Sequence, residues 1–546
     1  MTRHATNEPT FSEDSHALEF AEQVRANQLR LTAELKLTYD FIICGSGSSG
    51  SVVARRLAEN PKVSVLLLEA GGQDDIPNIV DPRQWATNLG SDRDWGFQAQ
   101  SNPELNGRAI GMSMGKVLGG GSSINVLHWV RGHRSDWNHF ADEAGDAAWN
   151  YESVLKLYRR IEDWHGEPDA EYRSNGGAIF IKPSRSESPL SLATFEAARS
   201  IGVPPFGNLN GRMMEGEGGC SYTERAIRNG KRQSVFRAYV FPYMDRPNLT
   251  VLTRALVTRI TFDHNRASGV EVAHNGKLYH IGAGLEVVLS LGAIQTPKVL
   301  MQSGIGDQAE LQRFGIPLVQ HLPGVGQNFQ DHTLIMGCVW EHQQPDHIHT
   351  SDEVILQWKS DPRLDSPDMQ CVLLDQPAVG RETAKFSPPT NSWTIVPGLV
   401  RPKSRGRLRL TGPNHLDPVE IYANHLNAPA DLTALTRAVE FSCDLANSAA
   451  LRPFAKRQVI PGDPTKQGLE DFVRSSASTY WHQTCTAKMG RDSMSVVDGN
   501  LKVYGIKGLR IADGSIMPRI TTGNTMAPCV VIGERAGEIL KSEYKL

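Results

Sequence analysis

A strand–helix–strand pattern at residues 39–69 constrains the fold of this chain more than any other stretch. The apolar run 41–44 is typical of a buried parallel strand, and the helical pattern at 51–59 places its apolar residues on one face. A second apolar run, at 63–68, ends in Glu69. Two such strands joined by a crossover helix are the first unit of a doubly wound fold, so the sequence predicts a Rossmann-like domain.

The link between the first strand and the helix reads G-x-G-x-x-G, formed by Gly45, Gly47 and Gly50. The first glycine permits a tight turn, the second lets the backbone approach a pyrophosphate, and the third lets the helix pack on the strand. The helix N-terminus offers unpaired N–H groups to the phosphates, and Glu69 is expected to accept hydrogen bonds from the adenosine ribose. The motif predicts a dinucleotide site but does not separate NAD from FAD.

The composition of the chain is that of a globular enzyme with more than one core. Its 546 residues exceed what one ordinary hydrophobic core holds, so we expect two closely joined domains. Hydrophobic residues make up 40% of the chain, charged residues make up 21%, and the formal net charge is -3. This balance predicts no nucleic-acid partner and no polybasic membrane anchor.

Cysteine usage and apolar runs indicate the cellular setting. The 7 cysteines are scattered and form no C-x-x-C pair, which predicts neither a disulfide framework nor a zinc site. The histidines and acidic residues lack ligand spacing, so we expect no metal site. Residues 1–10 carry no apolar core of a signal peptide, and no apolar run is long enough to span a bilayer. These features favour a cytoplasmic protein without a membrane span.

Three further regions indicate the organisation of the chain. Residues 12–36 show helical spacing, which predicts an amphipathic helix that packs on its own fold or contacts another subunit. Residues 115–125 hold four glycines and two serines, which suit a loop pressed against a flat or phosphorylated ligand, or a flexible loop. From about residue 333 to 470, strand-like segments mix with helices, which predicts a second α+β domain inserted into the first.

Several ordered sequence blocks accompany the strand–helix–strand unit. They lie at 115–138, 292–306, 401–406, 496–498 and 523–525. Together they resemble the glucose–methanol–choline (GMC) family of FAD oxidoreductases over nearly all of residues 39–540. Within that family, the Trp481-His482 pair and the bacterial style of the tail are most similar to 5-hydroxymethylfurfural oxidases and aryl-alcohol oxidases.

The resemblance implies an α/β fold (α+β overall), with a Rossmann-like FAD-binding domain and an inserted substrate-binding domain built on an antiparallel sheet with helices. It assigns 39–160, 215–332 and 470–546 to the FAD domain, 161–214 and 333–469 to the substrate domain, and 1–38 to an N-terminal helical extension. It also implies FAD rather than NAD. Ile124 stands where some relatives link FAD through a histidine, so we expect noncovalent FAD.

The same resemblance places His482 and Asn524 at the catalytic pair position, against the reactive edge of the flavin. Alcohol oxidation requires loss of the hydroxyl proton and transfer of the carbon hydride to flavin N5. A histidine takes up a proton near neutral pH, so His482 is the expected base. The amide of Asn524 is expected to hold the substrate oxygen. Residues 483–487 depart from the Pro-x-Gly-Thr-Cys of many relatives, which changes the support of His482.

The expected cofactor contacts surround this pair. The resemblance implies that Gly121 and Asn125 contact the flavin ring, and that Asp513 and Gly514 lie by the ribitol or pyrophosphate. The helix after Asn524 is expected to point its N-terminus at the flavin pyrimidine ring. The full set of expected FAD contacts is Gly45, Gly47, Ser48, Ser49, Gly50, Glu69, Ala70, Lys116, Gly119, Gly121, Ser122, Asn125, Val126, Val257, Trp481, Asp513, Gly514, Asn524, Thr525 and Met526.

Tyr480 and Trp481 lie beside the expected base and predict an aromatic substrate pocket, or an ordinary core role. The leading interpretation is oxidation of a primary, aromatic or furanic, alcohol to the aldehyde, with O2 reduced to H2O2. A choline-type dehydrogenase that uses a quinone or another acceptor is the alternative, followed by a hydroxynitrile lyase or a non-catalytic FAD-binding module. The residues leave open which alcohol is used, the acceptor and the oligomeric state.

Overall fold

The computed structural model describes residues 12–185, 187–462 and 465–546. The expectation for residues 1–10, which concerns a signal peptide, falls outside these ranges. Within them, no helix has the length and apolar character needed to cross a bilayer. The α-helices are α1 (Ser12–Ala33), α2 (Ser48–Ala58), α3 (Pro77–Val80), α4 (Arg134–Ala144), α5 (Tyr151–Ile161), α6 (Pro189–Ser200), α7 (Val235–Tyr239), α8 (Gly292–Gln302), α9 (Gln308–Gln312), α10 (Pro429–Asn447), α11 (Lys466–Ser476) and α12 (Met526–Tyr544).

The strands form two large sheets and several short pairs. They are β1 (Thr38–Cys44), β2 (Val65–Leu68), β3 (Phe97–Gln98), β4 (Gly111–Met112), β5 (Glu162–Trp164), β6 (Ile179–Pro183), β7 (Gly219–Tyr222), β8 (Glu224–Arg225), β9 (Ile227–Arg228), β10 (Lys231–Arg232), β11 (Leu249–Leu252), β12 (Ala255–Asp263), β13 (Arg266–His274), β14 (Lys277–Leu289), β15 (Ile305–Gly306), β16 (Gln320–His321), β17 (Thr333–Ile335), β18 (Cys338–His342), β19 (Glu353–Trp358), β20 (Met369–Leu374), β21 (Ser392–Leu399), β22 (Arg407–Leu410), β23 (Val419–Tyr422), β24 (Ala455–Ile460), β25 (Ala477–Thr479) and β26 (Leu509–Ile511).

The first sheet contains the strand–helix–strand unit. Strands β11, β2, β1, β14 and β26 lie side by side and pair in parallel. The N-terminal half of the long β14 pairs antiparallel with β13, which pairs with β12. All of β2 and the last four residues of β1 are buried, as expected for central strands of a parallel sheet. The Rossmann-like fold predicted from the sequence is confirmed.

The second sheet is antiparallel and has the order β24–β18–β21–β20–β19–β7, with β17 bridging β21 and β25. Helix α10 lies against β20 and β21. Its Leu435 and Val439 are fully buried, and their spacing of four residues puts both on the face that meets the sheet. The predicted domain built on an antiparallel sheet with helices is therefore confirmed.

Two strands of the second sheet come from ranges that the sequence analysis gave to the FAD domain. Strand β7 pairs with β19, and β25 pairs with β17. Both are too short to show a clear period, and their partners lie far away in the sequence, so no local pattern indicates the pairing. The domain limits drawn from the sequence stay a prediction.

Helix α1 packs on the first sheet through a buried amide. The side chain of Gln28 donates to the carbonyls of Met244 and Leu249 at 2.8 and 2.9 Å and accepts from the N–H of Val251 at 2.9 Å. Val24, on the same helix, is also buried. Helix α1 therefore packs on its own fold, and the alternative of a contact with another subunit stays a prediction.

Candidate active site

A cavity extends from the carboxyl ends of β1 and β2 to the second sheet. Ligands of open α/β sheets bind at this edge, outside the carboxyl ends of the strands. The fold brings residues from most of the chain around this cavity. Those expected from the sequence that line it are Gly45, Gly47, Ser48, Ser49, Glu69, Ala70, Gly121, Ser122, Asn125, Val126, Tyr480, Trp481, His482, Asp513, Gly514, Asn524, Thr525 and Met526.

Four of the expected cofactor residues do not line the cavity. Gly50 lies inside the first turn of α2, and Val257 is buried in β12. Gly119 precedes the short turn of the glycine-rich block, and Lys116 places its Nζ 5.0 Å from the ring centroid of Trp95. A direct contact of these four residues with FAD stays a prediction.

The glycine turn after β1 depends on two residues without a side chain. Gly45 has φ of 99°, and a Cβ there would lie 2.3 Å from the carbonyl oxygen of Ser290. A Cβ on Gly50 would lie 1.9 Å from the carbonyl oxygen of Gly45. Helix α2 then starts after Gly47, and no described side chain caps it. Its first N–H groups are left for an anion in the cavity, which fits a pyrophosphate.

Glu69 lies at the end of β2, where it lines the cavity and ties two turns together. Its Oε2 accepts from the backbone N–H and the hydroxyl of Ser46 at 3.1 and 2.7 Å, and its Oε1 accepts from the N–H of Gly71 at 2.8 Å. Burial raises the pKa of Glu69, and these hydrogen bonds oppose that effect. The carboxylate therefore holds the glycine turn, and its expected bond to a ribose stays a prediction.

Asn125 and Asp513 also have partners within the protein. The amide Nδ2 of Asn125 lies 3.3 Å from the sulfur of Met526, at the start of α12. Oδ2 of Asp513 accepts from the N–H of Gly292 at 2.9 Å and from the hydroxyl of Thr296 at 2.6 Å. Asp513 thereby fixes the segment after β26 to the first turn of α8, beside the cavity.

The expected catalytic pair is in contact. Nδ2 of Asn524 lies 3.3 Å from Nε2 of His482, and both residues face the cavity. Oδ1 of Asn524 is buried and has no partner among the described residues. A buried amide oxygen without a partner is costly in a folded protein, so this atom indicates a ligand-binding position.

A second histidine determines the tautomer of the first. Nδ1 of His482 lies 2.9 Å from Nδ1 of His332, whose side chain is fully buried. The amide of Asn524 donates to Nε2 of His482, which therefore holds a lone pair, and the ring proton resides on Nδ1. Nδ1 of His332 therefore accepts a hydrogen bond from the Nδ1–H of His482. Nε2 of His482 is thus the atom prepared to take up a proton.

The backbone around His482 is held by a carboxylate. Oδ1 of Asp331 accepts from the N–H of His482 at 2.9 Å, and Oδ2 accepts from the hydroxyl of Thr479. Trp481 has φ of 59°, in the left-handed region that bulky side chains rarely adopt. The Tyr480 ring is parallel to the His482 imidazole, with centroids 5.3 Å apart. His482 therefore follows a strained residue, and the Tyr480 ring lies parallel to its imidazole.

Removal from bulk water lowers the pKa of His482 to about 4, against the opposing effect of the Asp331 carboxylate. Burial, followed by the nearby His482, lowers the pKa of His332 well below its ordinary value. Both rings are therefore neutral at neutral pH. A neutral imidazole with an unprotonated Nε2 is the form that a general base requires.

The N-terminus of α12 also faces the cavity. The helix begins at Met526, and its N-cap residue, Thr525, supplies no side-chain hydrogen bond to the first turn. Both residues line the cavity next to Asn524. The positive end of the helix dipole is therefore directed at this region, where it stabilises negative charge on a bound group.

The part of the cavity beyond the catalytic pair is largely apolar and aromatic. The Trp85 ring meets the Trp481 ring edge to face, with centroids 6.3 Å apart. Strands β17, β20 and β21 of the second sheet contribute aliphatic side chains. Further apolar residues that line the cavity are Leu89, Trp95, Phe97, Leu334, Met336, Val372, Leu374, Ala378 and Val396.

Among the described residues that line this apolar end, Glu353 carries a carboxylate. It forms an ion pair with Arg225 and accepts from Nε2 of His128 at 2.6 Å. Burial, together with the Arg225 charge, lowers the pKa of His128 to about 3, so this ring is a neutral donor. The charge of Glu353 is consequently balanced within the cavity wall.

Four polar residues of the site were not predicted from the sequence: His332, Asp331, His128 and Glu353. His332 lies 150 positions before His482, and no local pattern links the two. The polar Asp331-His332 pair directly before an apolar strand was the available signal. His128 and Glu353 carried none, because 225 positions separate them and their contact depends on the tertiary fold.

Comparisons with known proteins identify the family of the chain. Two models described as GMC oxidoreductase match residues 39–334 and 402–533. An oxygen-dependent choline dehydrogenase of Staphylococcus haemolyticus is 34% identical and aligns over 94% of both chains. Pyridoxine 4-oxidase from Mesorbium loti is 30% identical with a TM-score of 0.86, covering 92% of this chain and 98% of its own. A fungal aryl-alcohol oxidase, at 22% identity and a TM-score of 0.80 over 94% and 100% of the two chains, shares the fold.

The chain belongs to the GMC oxidoreductases. It is an FAD-dependent oxidoreductase that acts on CH–OH donors. The residues present fit FAD, because the uncapped start of α2, the glycine-rich wall and the buried Oδ1 of Asn524 are all directed at one cavity. The narrower resemblance to 5-hydroxymethylfurfural oxidases stays a prediction.

Proposed function

We propose that the protein oxidises an uncharged primary alcohol, aromatic or furanic, to its aldehyde and uses O2 as the electron acceptor. The observation that supports this substrate class is the apolar, aromatic end of the cavity, where Arg225 balances the charge of Glu353. Aromatic side chains such as Trp85 and Trp481 offer edges and faces to a flat ring. A cavity without an unbalanced charge favours a neutral substrate.

In the proposed mechanism, the catalytic pair acts on the substrate hydroxyl. When the alcohol binds, the substrate hydroxyl replaces the amide of Asn524 as the hydrogen-bond donor to Nε2 of His482, and Nδ2 of Asn524 donates to the substrate oxygen instead. Nε2 of His482 then accepts the hydroxyl proton. His332 keeps the other proton of the His482 ring on Nδ1. Bound FAD supplies the acceptor for the hydride of the alcohol carbon. The N-terminus of α12 stabilises the negative charge that arrives in this region.

Choline is the second candidate substrate, because the relatives of 33–34% identity include enzymes named choline dehydrogenase. The aromatic wall alone suits a quaternary ammonium group as well as a flat ring. A cation in an apolar site also needs a carboxylate whose charge is not already balanced. Glu353 is paired with Arg225 and hydrogen-bonded to His128, which favours a neutral alcohol.

The proposed acceptor is O2. Two relatives, an oxygen-dependent choline dehydrogenase and a pyridoxine 4-oxidase, support this choice. Oxidation releases a hydride and a proton from the alcohol, and O2 takes up the two electrons and two protons to give H2O2. Once His482 holds the hydroxyl proton, its positive charge stabilises the negative charge that develops on oxygen in a poorly solvated site.

The cofactor is proposed to be noncovalent. Ile124 lines the cavity within the glycine-rich block, and its aliphatic side chain has no atom that bonds to a flavin. Retention of FAD then depends on the uncapped start of α2 and on the polar groups of the wall.

A pair of isosteric substrates tests the proposed specificity. Choline and 3,3-dimethylbutan-1-ol have the same shape and differ in charge, and benzyl alcohol and 5-hydroxymethylfurfural complete the panel. The wild type is expected to show kcat/KM at least about 10-fold higher for the neutral isostere than for choline, because the cation loses its hydration without a partner. A preference for choline over its isostere would contradict the proposal.

A variant pair isolates the contribution of Glu353. Arg225→Met leaves that carboxylate unbalanced and is expected to shift the ratio of the two kcat/KM values toward choline. Arg228→Met removes an exposed arginine of the neighbouring strand β9 and serves as the matched control. Bleaching of the flavin by the alcohol without O2 distinguishes this redox reaction from a lyase.

A further inference from the structure

Three histidines and an aspartate converge at one end of the second sheet, away from the catalytic pair. His342 ends β18, His347 and His349 lie in the loop before β19, and Asp375 directly follows β20. Their ligand atoms all lie within 4.8 Å of one another. This cluster is independent of the proposed function, and the sequence analysis expected no metal site in the chain.

The three imidazoles approach the same carboxylate oxygen. Oδ1 of Asp375 lies 3.1 Å from Nε2 of His342, 2.8 Å from Nε2 of His347 and 3.6 Å from Nδ1 of His349. Oδ2 already accepts from the N–H and the hydroxyl of Thr350, at 2.9 and 3.0 Å. A carboxylate oxygen has two lone pairs, so hydrogen bonds alone account for two of the three nitrogens around Oδ1.

The orientation of His349 supplies a second, independent argument. Its Nε2 lies 3.1 Å from the carbonyl oxygen of Thr390, which accepts only, so Nε2 carries the hydrogen. In the neutral ring, Nδ1 then directs a lone pair toward Oδ1 of Asp375. Two lone pairs that face each other repel, and either a proton on Nδ1 or a metal ion between the two atoms removes this repulsion. Histidines that bind metals are typically fixed in this way, with the other ring nitrogen donating to a carbonyl or carboxylate.

The spacing of the cluster suits a small divalent ion. Ligands about 2.0–2.1 Å from a tetrahedral zinc ion are roughly 3.3 Å from each other. The three separations from Asp375 Oδ1 bracket that value. Asp375 and His342 are buried, whereas His349 is exposed. Two ligands of the cluster are therefore held rigidly, and an ion can reach the cluster from solvent.

We propose that His342, His347, His349 and Asp375 bind one zinc-class divalent ion. Three imidazole nitrogens and one carboxylate oxygen form a donor set that selects such ions over Mg²⁺ and Ca²⁺, which prefer oxygen ligands. The ion fixes the loop before β19 to the end of β20. Leu374 and Gln376, the neighbours of Asp375, line the cavity, so the ion stabilises part of the substrate wall.

Metal titration of the untagged, FAD-loaded protein tests the site. After removal of metals with EDTA, the wild type is expected to bind one Zn²⁺ per chain, with a rise in Tm that Mg²⁺ does not produce. X-ray absorption at the zinc edge should fit nitrogen and oxygen ligands at about 2.0–2.1 Å. His349→Ala should weaken binding at least about 100-fold, and Thr350→Val, which removes a hydrogen bond to Asp375, should weaken it about 10-fold.

His264→Ala is the matched control, because His264 is exposed and lies beside Asp263, outside the cluster. It should bind Zn²⁺ as the wild type does. The exposed position of His349 makes misfolding of its variant readily checked by FAD content and by Tm without metal. Equal zinc binding by the wild type and His349→Ala would overturn the proposal, as would an equal loss in His264→Ala.

Discussion

Nδ1 of His482 lies 2.9 Å from Nδ1 of His332, so the two imidazoles hold complementary tautomers. Because His332 accepts, His482 keeps its proton on Nδ1 and presents the lone pair of Nε2 beside Asn524. The acidic partner, Asp331, contacts the backbone N–H of His482. The orientation of the base is thus set by a neutral histidine, and its position is set by a carboxylate.

Replacement of His332 tests its positioning role. His332→Leu removes the acceptor for Nδ1–H, so a fraction of His482 adopts the tautomer whose Nε2 is protonated. We expect flavin reduction about 10- to 100-fold slower, with KM little changed. His332→Gln, which retains an acceptor, should recover part of the rate. A wild-type rate of flavin reduction in His332→Leu would contradict the positioning role of His332.

Asn524→Leu tests the alignment of the substrate oxygen at nearly constant volume. The variant loses the amide that donates to both Nε2 of His482 and the substrate, so the alcohol is misplaced. We expect flavin reduction by the alcohol to fall roughly 10²-fold, while FAD content is retained. Loss of FAD with an unchanged rate per bound flavin would assign Asn524 to cofactor binding instead.

The pH dependence of kcat/KM reports on the base. Burial lowers the pKa of His482 to about 4, and protonation removes the lone pair of Nε2. The value of kcat/KM should therefore be constant through neutral pH and decline as the pH falls through about 4. The decline should follow the binding of one proton. Asp331→Asn removes the charge that opposes this shift, so the decline should move to lower pH. A decline that moves to higher pH would contradict the electrostatics described for this residue.

FAD release tests the cofactor proposal. Acid precipitation should leave yellow FAD in the supernatant, since Ile124 offers no covalent link; flavin in the pellet would refute this.

Glu69→Ala should weaken FAD binding by about 1–3 kcal/mol, because it loosens the turn at Ser46 and removes an expected ribose acceptor. Titration of the apoprotein with FAD measures the loss, and an unchanged affinity would place the ribose contact elsewhere.

The sequence predicted the parts of the site that depend on local chemistry. The glycine turn and its acid are read from 31 consecutive residues. The resemblance to the family predicted His482 and Asn524 from the sequence alone. Contacts between distant segments were not predictable in this way. His332 meets His482 across 150 positions. Glu353, at the start of β19, meets Arg225 of β8 because the preceding strand β7 pairs with β19. The histidine cluster around Asp375 likewise forms only when β18 and β20 flank β21.

The most direct test of the account follows flavin absorbance when His482→Ala and the wild type are mixed with benzyl alcohol in a stopped-flow instrument without O2. The wild type should bleach rapidly. The variant should contain the same FAD and bleach roughly 10²–10⁴-fold more slowly, because it lacks the Nε2 atom that accepts the hydroxyl proton. Equal rates in the two proteins would contradict the assignment of His482 as the base, and no bleaching in the wild type would contradict oxidation of this class of alcohol.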